Sequence, residues 1–127
     1  DRKPRIYFEE WPDPLISGIG WVSELIELAG GIDSGGHLAA FADARSRIIE
    51  DSQTVVDWAP DIIIGSWCGR KFRPESLMER AGWDQIPAIR NSHLYEIKSP
   101  LILQPGPAAL TDGVDALAEI IDQWRDA

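Results

Sequence analysis

Ala59-Pro60-Asp61-Ile62-Ile63-Ile64-Gly65-Ser66 decides the fold. Three consecutive β-branched residues suit a pleated strand, and a strand with no polar position on either face is one buried on both. Sheets covered on both sides are mainly parallel, because the crossovers that make strands parallel lay helices over each face. The run therefore predicts a central, parallel strand of an α/β domain. Helical sequence flanks it on each side. Upstream, Asp51 or Ser52 can cap a helix carrying Val55, Val56 and Trp58 that breaks at Pro60; downstream, Pro74 fits the first turn of a helix carrying Leu77, Met78 and Ala81 that Gly82 stops.

Further out the alternation continues. Arg5-Ile6-Tyr7-Phe8-Glu9 predicts a strand over about 5 to 10, ended by Trp11-Pro12-Asp13-Pro14, whose prolines cannot continue a ladder. Ser17 is a candidate cap for a helix whose stripe of Trp21, Val22, Leu25, Ile26, Leu28 and Ala29 runs until Gly30-Gly31. Residues 31 to 49, with Gly35-Gly36, His37 and then Ala39 to Ala44, have no clean period and predict an irregular connection with one short turn of helix. His93-Leu94-Tyr95-Glu96-Ile97 predicts a third strand, closed by Ser99-Pro100. From Pro107 to about Arg125, Leu110, Val114, Leu117, Ile121 and Trp124 recur at helical spacing, with Asp112, Asp115, Glu119, Asp122 and Asp126 on another face that reads as solvated. The expected fold is α/β: a small, mainly parallel sheet with helices on both faces, forming one lobe over residues 1–127.

Composition excludes several functions. Twelve Lys and Arg against twenty-one Asp and Glu give a net charge of −9, which repels nucleic acid and anionic lipid, so no nucleic-acid partner is expected. The single Cys68 excludes an internal disulfide, and no Cys or His cluster has metal-ligand spacing. No apolar stretch is long enough to span a bilayer, and there is no internal repeat. The opening Asp1-Arg2-Lys3-Pro4-Arg5 enters a strand at once, as expected of a piece cut from a longer chain.

In open α/β sheets the ligand lies beyond the carboxyl ends of the strands, here Glu10 to Gly20, Trp67 to Arg73, and Ser99 to Gly106. Trp67-Cys68-Gly69-Arg70-Lys71-Phe72-Arg73 sets two aromatics and three cations at such an end. Rings at an exposed tip can stack a flat ligand while the cations neutralise a carboxylate or phosphate; the plainer alternative is that Trp67 packs on a helix and the cations are solvated. Glu9 and Glu10 are adjacent carboxylates, but strand neighbours point to opposite faces, which disfavours a catalytic pair and favours a single hydrogen-bonding Glu beside an aromatic. Gly18-Ile19-Gly20-Trp21-Val22-Ser23 echoes a dinucleotide fingerprint but lies about eight residues past the strand and has Ser at the third small position. Cys68 has no histidine near in sequence to activate it, and His37, read as a loop residue, and His93, read as a surface or capping group at a strand start, do not suggest a metal site.

Arg5-Ile6-Tyr7-Phe8-Glu9-Glu10-Trp11, Gly20-Trp21-Val22-Ser23-Glu24-Leu25-Ile26-Glu27-Leu28-Ala29-Gly30-Gly31, Ala59-Pro60-Asp61-Ile62-Ile63-Ile64, Trp67-Cys68-Gly69 and Ser99-Pro100-Leu101-Ile102-Leu103-Gln104-Pro105-Gly106-Pro107 together resemble one family. It is the cobalamin and iron-siderophore branch of class III periplasmic solute-binding proteins of ABC importers, and the likeness is to its C-terminal lobe, over essentially the whole chain. The resemblance implies two α/β lobes joined by a rigid helix with the ligand between them, so that this chain corresponds to one lobe without its N-terminal partner lobe or the interlobe helix. It also implies a periplasmic or extracytoplasmic location.

Carried over residue by residue, the family's ligand-facing loops fall on Glu10 and Trp11, on Trp67, Cys68 and Phe72, and on Ser99, Pro100 and Gln104. The family docks on its ABC permease through a carboxylate near the start of the helix before the central strand; here that position is Gln53, with Glu50 and Asp51 just before it. The expected function is non-enzymatic: covering one face of a corrinoid such as cobalamin, the transported ligand, with Trp67 as platform and no covalently bound cofactor. The alternatives are a siderophore or haem in the same lobe, or an α/β enzyme domain using Glu10 or Cys68. A lobe without its partner exposes apolar surface, so a homodimer of the isolated lobe is a further expectation.

Overall fold

The computed structural model describes residues 2–38, 44–104 and 106–127. Chain order runs β1 (Arg5–Pro12), β2 (Leu15–Ser17), α1 (Gly20–Ala29), β3 (Ile32–Asp33), 3-10 turns at Gly36–Leu38 and Arg45–Arg47, β4 (Ile48–Ile49), α2 (Gln53–Trp58) and β5 (Ile62–Gly65). There follow α3 (Pro74–Leu77), a 3-10 turn at Trp83–Gln85, α4 (Pro87–Arg90), β6 (Leu94–Glu96), α5 (Ser99–Ile102), a π-helical turn at Ala109–Gly113 and α6 (Val114–Asp126). The sheet is ordered β4-β2-β1-β5-β6, with β3 pairing the opening of β1. The β1–β5, β5–β6 and β1–β3 pairs are parallel, whereas β1–β2 and β2–β4 are antiparallel.

The isoleucine run is the central strand the sequence predicts. Ile62 and Ile64 enter one core with Ile6 and Phe8, while Ile63 enters a second core with Tyr7, because alternate strand residues face opposite ways. The first core is closed by Val22, Leu25 and Ile26 of α1 and by Leu117, Ile120 and Ile121 of α6. Val55 of α2, Leu77 of α3, Trp83 and Ile89 of α4 close the second. The sheet is thus mainly parallel with helices on both faces.

Several local expectations are corrected. Strand β1 runs two residues past Glu10 and ends at Pro12, within the expected Trp11-Pro12-Asp13-Pro14 segment; what was not expected is that Pro12 is the last rung of a hairpin opposite Leu15, where a missing N–H costs no interior hydrogen bond, with a bulge between Glu9 and Trp11. The Asp13-Pro14 bond in that turn is cis. Ser17 is therefore a strand residue, its buried hydroxyl donating to the Arg47 carbonyl, and α1 starts after an extended Ile19. Helix α3 stops at Leu77, which leaves Met78 about half exposed. The π turn shifts the face of the last helix by one residue, so that Ala109 and Gly113 pack inward and Leu110 points to solvent.

The connection over 31 to 49 contains β3, β4 and two 3-10 turns; its Ala39 to Asp43 part, and Pro105, lie outside the described residues. Asp51 caps α2 as expected, accepting the Gln53 backbone N–H at 3.0 Å. Gly30 ends α1 in the left-handed region at φ 103°. Among the described residues, no helix is long and apolar enough to cross a membrane.

Candidate functional site: the cleft at the carboxyl ends of the strands

Parallel pairing brings the ends of β1, β5 and β6 side by side, so the loops after them meet. Glu9 lies opposite Gly65, and Gly65 opposite Glu96. A cleft of about 330 Å³ opens there, lined by Trp67, Gly69, Arg70, Lys71, Glu96, Ile97, Lys98, Ser99 and Pro100. Three cations face one carboxylate in it, the reverse of the chain's net charge of −9. Among the described residues none of these cations forms an ion pair; the three ion pairs are Arg2–Asp61, Arg47–Glu10 and Arg80–Glu9.

The arrangement corrects the expectation of exposed rings. Trp67 is only 4% exposed and Phe72 5%; both join the second core, edge to face with centroids 5.0 Å apart. Gly65 makes room for this, since a Cβ there would lie 2.1 Å from the Phe72 ring. The plainer reading of Trp67 is thus the one realised for its ring body, yet the residue still forms part of the cleft wall. Cys68 and Arg70 remain exposed at the tip. The Arg70 guanidinium lies 5.5 Å from the Trp67 ring centre and 5.6 Å from that of Trp11, within cation–π range of both. Trp11 is fixed by its indole N–H, which donates to the Asp13 carbonyl at 3.1 Å.

The two adjacent carboxylates separate as strand geometry requires. Glu9 is fully buried and accepts from the Tyr7 hydroxyl at 2.8 Å, the Trp67 indole N–H at 3.0 Å and both Arg80 end nitrogens at 2.8 and 3.1 Å. Glu10 turns the other way to the buried Arg47, whose guanidinium also donates to the Ser17 carbonyl. Burial pushes the Glu10 carboxyl above its usual range, against the pull of Arg47 and of the Ile19 backbone N–H. The Tyr7 hydroxyl is held well above its ordinary value, first by burial and then by the Glu9 charge beside it. Tyr7 is therefore a neutral donor.

Of the sequence-predicted residues, the structure gathers Trp11, Trp67, Ser99 and Pro100 around the cleft and its Arg70 wall. Phe72 lies beneath it, with its backbone N–H donating to Glu96 at 3.2 Å. Glu10 is directed to Arg47, outside the cleft lining, and Cys68 and Gln104 are exposed but do not line it. Sequence reading missed Lys98, Arg47 and Arg80. Lys98 carried a usable signal, a cation next to the Ser99-Pro100 loop, whereas Arg47 and Arg80 lie 37 and 71 residues from the carboxylates they serve. His93, expected as a surface or capping group, is buried, with Nδ1 at 3.1 Å from the Tyr95 hydroxyl. Among the described residues no group of three metal-ligating side chains gathers. Glu50, Asp51 and Gln53 sit exposed around the start of α2, where Gln53 donates to Asp57 at 3.1 Å.

Residues 1–101 match the sequence pattern of the family described as periplasmic binding protein. The chain belongs to that family. A curated relative, an uncharacterized ABC transporter substrate-binding lipoprotein (YvrC) of Bacillus subtilis (strain 168), is 26% identical over 121 residues. The match covers 95% of this chain and 36% of the relative, so the chain spans about a third of its length. Among solved structures, a possible iron-binding periplasmic solute-binding protein of Staphylococcus epidermidis superposes with a TM-score of 0.77 at 17% identity, covering 95% of this chain and 46% of the other. The periplasmic vitamin B12 binding protein BtuF of Vibrio cholerae superposes with a TM-score of 0.70 at 19% identity, covering 99% and 47%. These likenesses fix the fold, and the chain spans about half of each of these two solved neighbours. The family is one of binding proteins, not enzymes, so Glu10 and Cys68 are not assigned catalytic roles.

Proposed function

We propose that this chain is one lobe of the solute-binding protein of an ABC importer, acting outside the cytoplasm, and that its cleft covers one face of a corrinoid such as cobalamin. The observation that carries the reading is the basic cleft at the strand ends, with Arg70, Lys71 and Lys98 in no ion pair among the described residues of an acidic chain. A corrinoid is large, flat and amide-fringed and carries one phosphate, so it needs local positive charge beside aromatic and polar wall rather than a deep apolar pocket. Trp67, Ser99 and Pro100 supply that wall, and Trp11 stands outside it against the Arg70 guanidinium. The vitamin B12 binding neighbour and the substrate-binding lipoprotein relative support the ligand class and the transport role. A partner lobe would cover the opposite face of the ligand, and Glu50 and Asp51 would meet the permease. The same cations also favour an anionic iron chelate such as a ferric siderophore or haem, a second reading that the iron-binding neighbour supports.

The test is a tryptophan-fluorescence titration with cyanocobalamin, corrected for inner-filter absorption, with a ferric tris-catecholate and haem, both anionic, as comparators. Saturable quenching by the corrinoid alone is expected, weakened about tenfold in Lys98→Ala, which is about 1.4 kcal/mol. Saturation by an iron ligand instead would replace the corrinoid with the second reading. No response to any of the three would overturn binding by this lobe.

A further inference from the structure

Among the described residues, Trp67 alone belongs both to the cleft wall and to the buried second core, and what holds its indole there is the Glu9–Arg80 charge pair. The Glu9 carboxylate uses its acceptor capacity in full. One oxygen takes the Tyr7 hydroxyl and one Arg80 nitrogen, and the other takes the Trp67 indole and the second Arg80 nitrogen. Arg80 is braced in turn by stacking over Trp83, 4.3 Å from its ring centre, and by a longer contact to the Pro12 carbonyl at 3.4 Å. It does not line the ligand cleft; it lines a separate depression formed by Pro12 to Leu15, Ile48 to Glu50 and Ser52.

We propose that Glu9 and Arg80 are positioning residues for the ligand cleft: the Arg80 fork holds the Glu9 carboxylate so that it fixes the Trp67 indole, and the Trp67 ring in turn seats Arg70 against Trp11. This rests on the reading of the cleft as the binding site. A carboxylate accepting an indole N–H in a dry interior has one favourable direction, so rotating it rotates the indole. A single ammonium in place of the fork keeps the charge but releases that direction. Arg70, within cation–π range of both indoles, loses its seat when one of them turns. The outer residues thus act through others and need no contact with ligand.

Arg80→Lys separates positioning from folding because it preserves the charge that Glu9 requires. Indole N–H signals of the 15N-labelled chain are recorded, that of Trp67 being assigned by its loss in Trp67→Phe, and cyanocobalamin is titrated into the same samples. In a folded Arg80→Lys chain the Trp67 signal should shift while those of Trp21 and Trp124, which pack against the other core, hold. Affinity should fall about tenfold, chiefly through lost pre-organisation. Should Arg80→Lys not fold, Glu9→Gln is read in the same way, since its amide presents a donor to Arg80 where an acceptor is needed. A folded variant whose Trp67 signal stays at the wild-type position overturns the proposal. A shifted signal without any wild-type affinity for the three ligands leaves the positioning of Trp67 standing and removes the cleft's assignment as their site. A shifted signal with unchanged affinity overturns the positioning role in binding.

Discussion

Gly65 stands where β5 ends, and the Phe72 ring occupies the space its missing side chain leaves. Its backbone is in ordinary strand conformation, so only contact forbids a larger residue. Gly65→Ala should cost about 1–3 kcal/mol by overpacking, read as a lower urea midpoint with an unchanged m-value. An unchanged midpoint would mean that the ring can slide aside without loss. At this scale sequence reading was uneven. Ile62, Ile63 and Ile64 were legible as buried on both faces because their chemistry admits no other place. Trp67 was not, because an aromatic next to Arg70 and Lys71 reads as exposed unless its indole partner is known, and Glu9 lies 58 residues away.

Helix α1 was legible nearly to the residue at its C-terminus because Gly30-Gly31 interrupts a regular stripe, and the structure places Gly30 at φ 103° with nothing within 4 Å of an added Cβ. Gly30→Ala therefore isolates the backbone term. It should cost about 1 kcal/mol, measured by the same denaturation, in contrast to the purely steric cost at Gly65. Its start was misread because a serine before an apolar stripe usually caps, whereas Ser17 is held in β2 by pairing with β1. The hairpin itself was hidden by Pro12 and Pro14, which argue against a strand everywhere except at a closing rung. The π turn left no trace in the spacing of Leu110 and Val114; only the packing of Gly113 against the Leu101 carbonyl and Ile102 reveals why the register shifts.

For the molecule as a whole, acidity and burial meet at Asp33. Burial raises its carboxyl above the usual range despite hydrogen bonds from Ser23 and the Gly35 N–H. The folded chain then holds this proton more tightly than the unfolded chain, so stability falls as pH rises from the ordinary carboxylate value through the raised one, and the loss persists above it. Asp33→Asn keeps an acceptor for Gly35 without burying a charge. It should be more stable than the wild type near about pH 7, with the advantage shrinking as pH falls through about 4, in paired urea denaturations. Equal midpoints at both pH values would show that Asp33 is solvated when ionised. The location of the cleft was readable from topology, since ligands sit beyond strand ends in such sheets. Its wall was readable only in part, because Lys98 and Arg70 were brought together by β5–β6 pairing rather than by sequence proximity.

The outermost strands of the main sheet path, β4 and β6, are two and three residues long. A sheet with such short borders offers almost no template on which another copy's backbone could continue the ladder. The long strand β1 and the apolar β5, the segments most able to seed fibrils, are each flanked by other strands. The fold therefore withholds its most polymerisation-prone backbone from lateral growth, and a crowded solution of this chain should remain free of cross-β material while it stays folded.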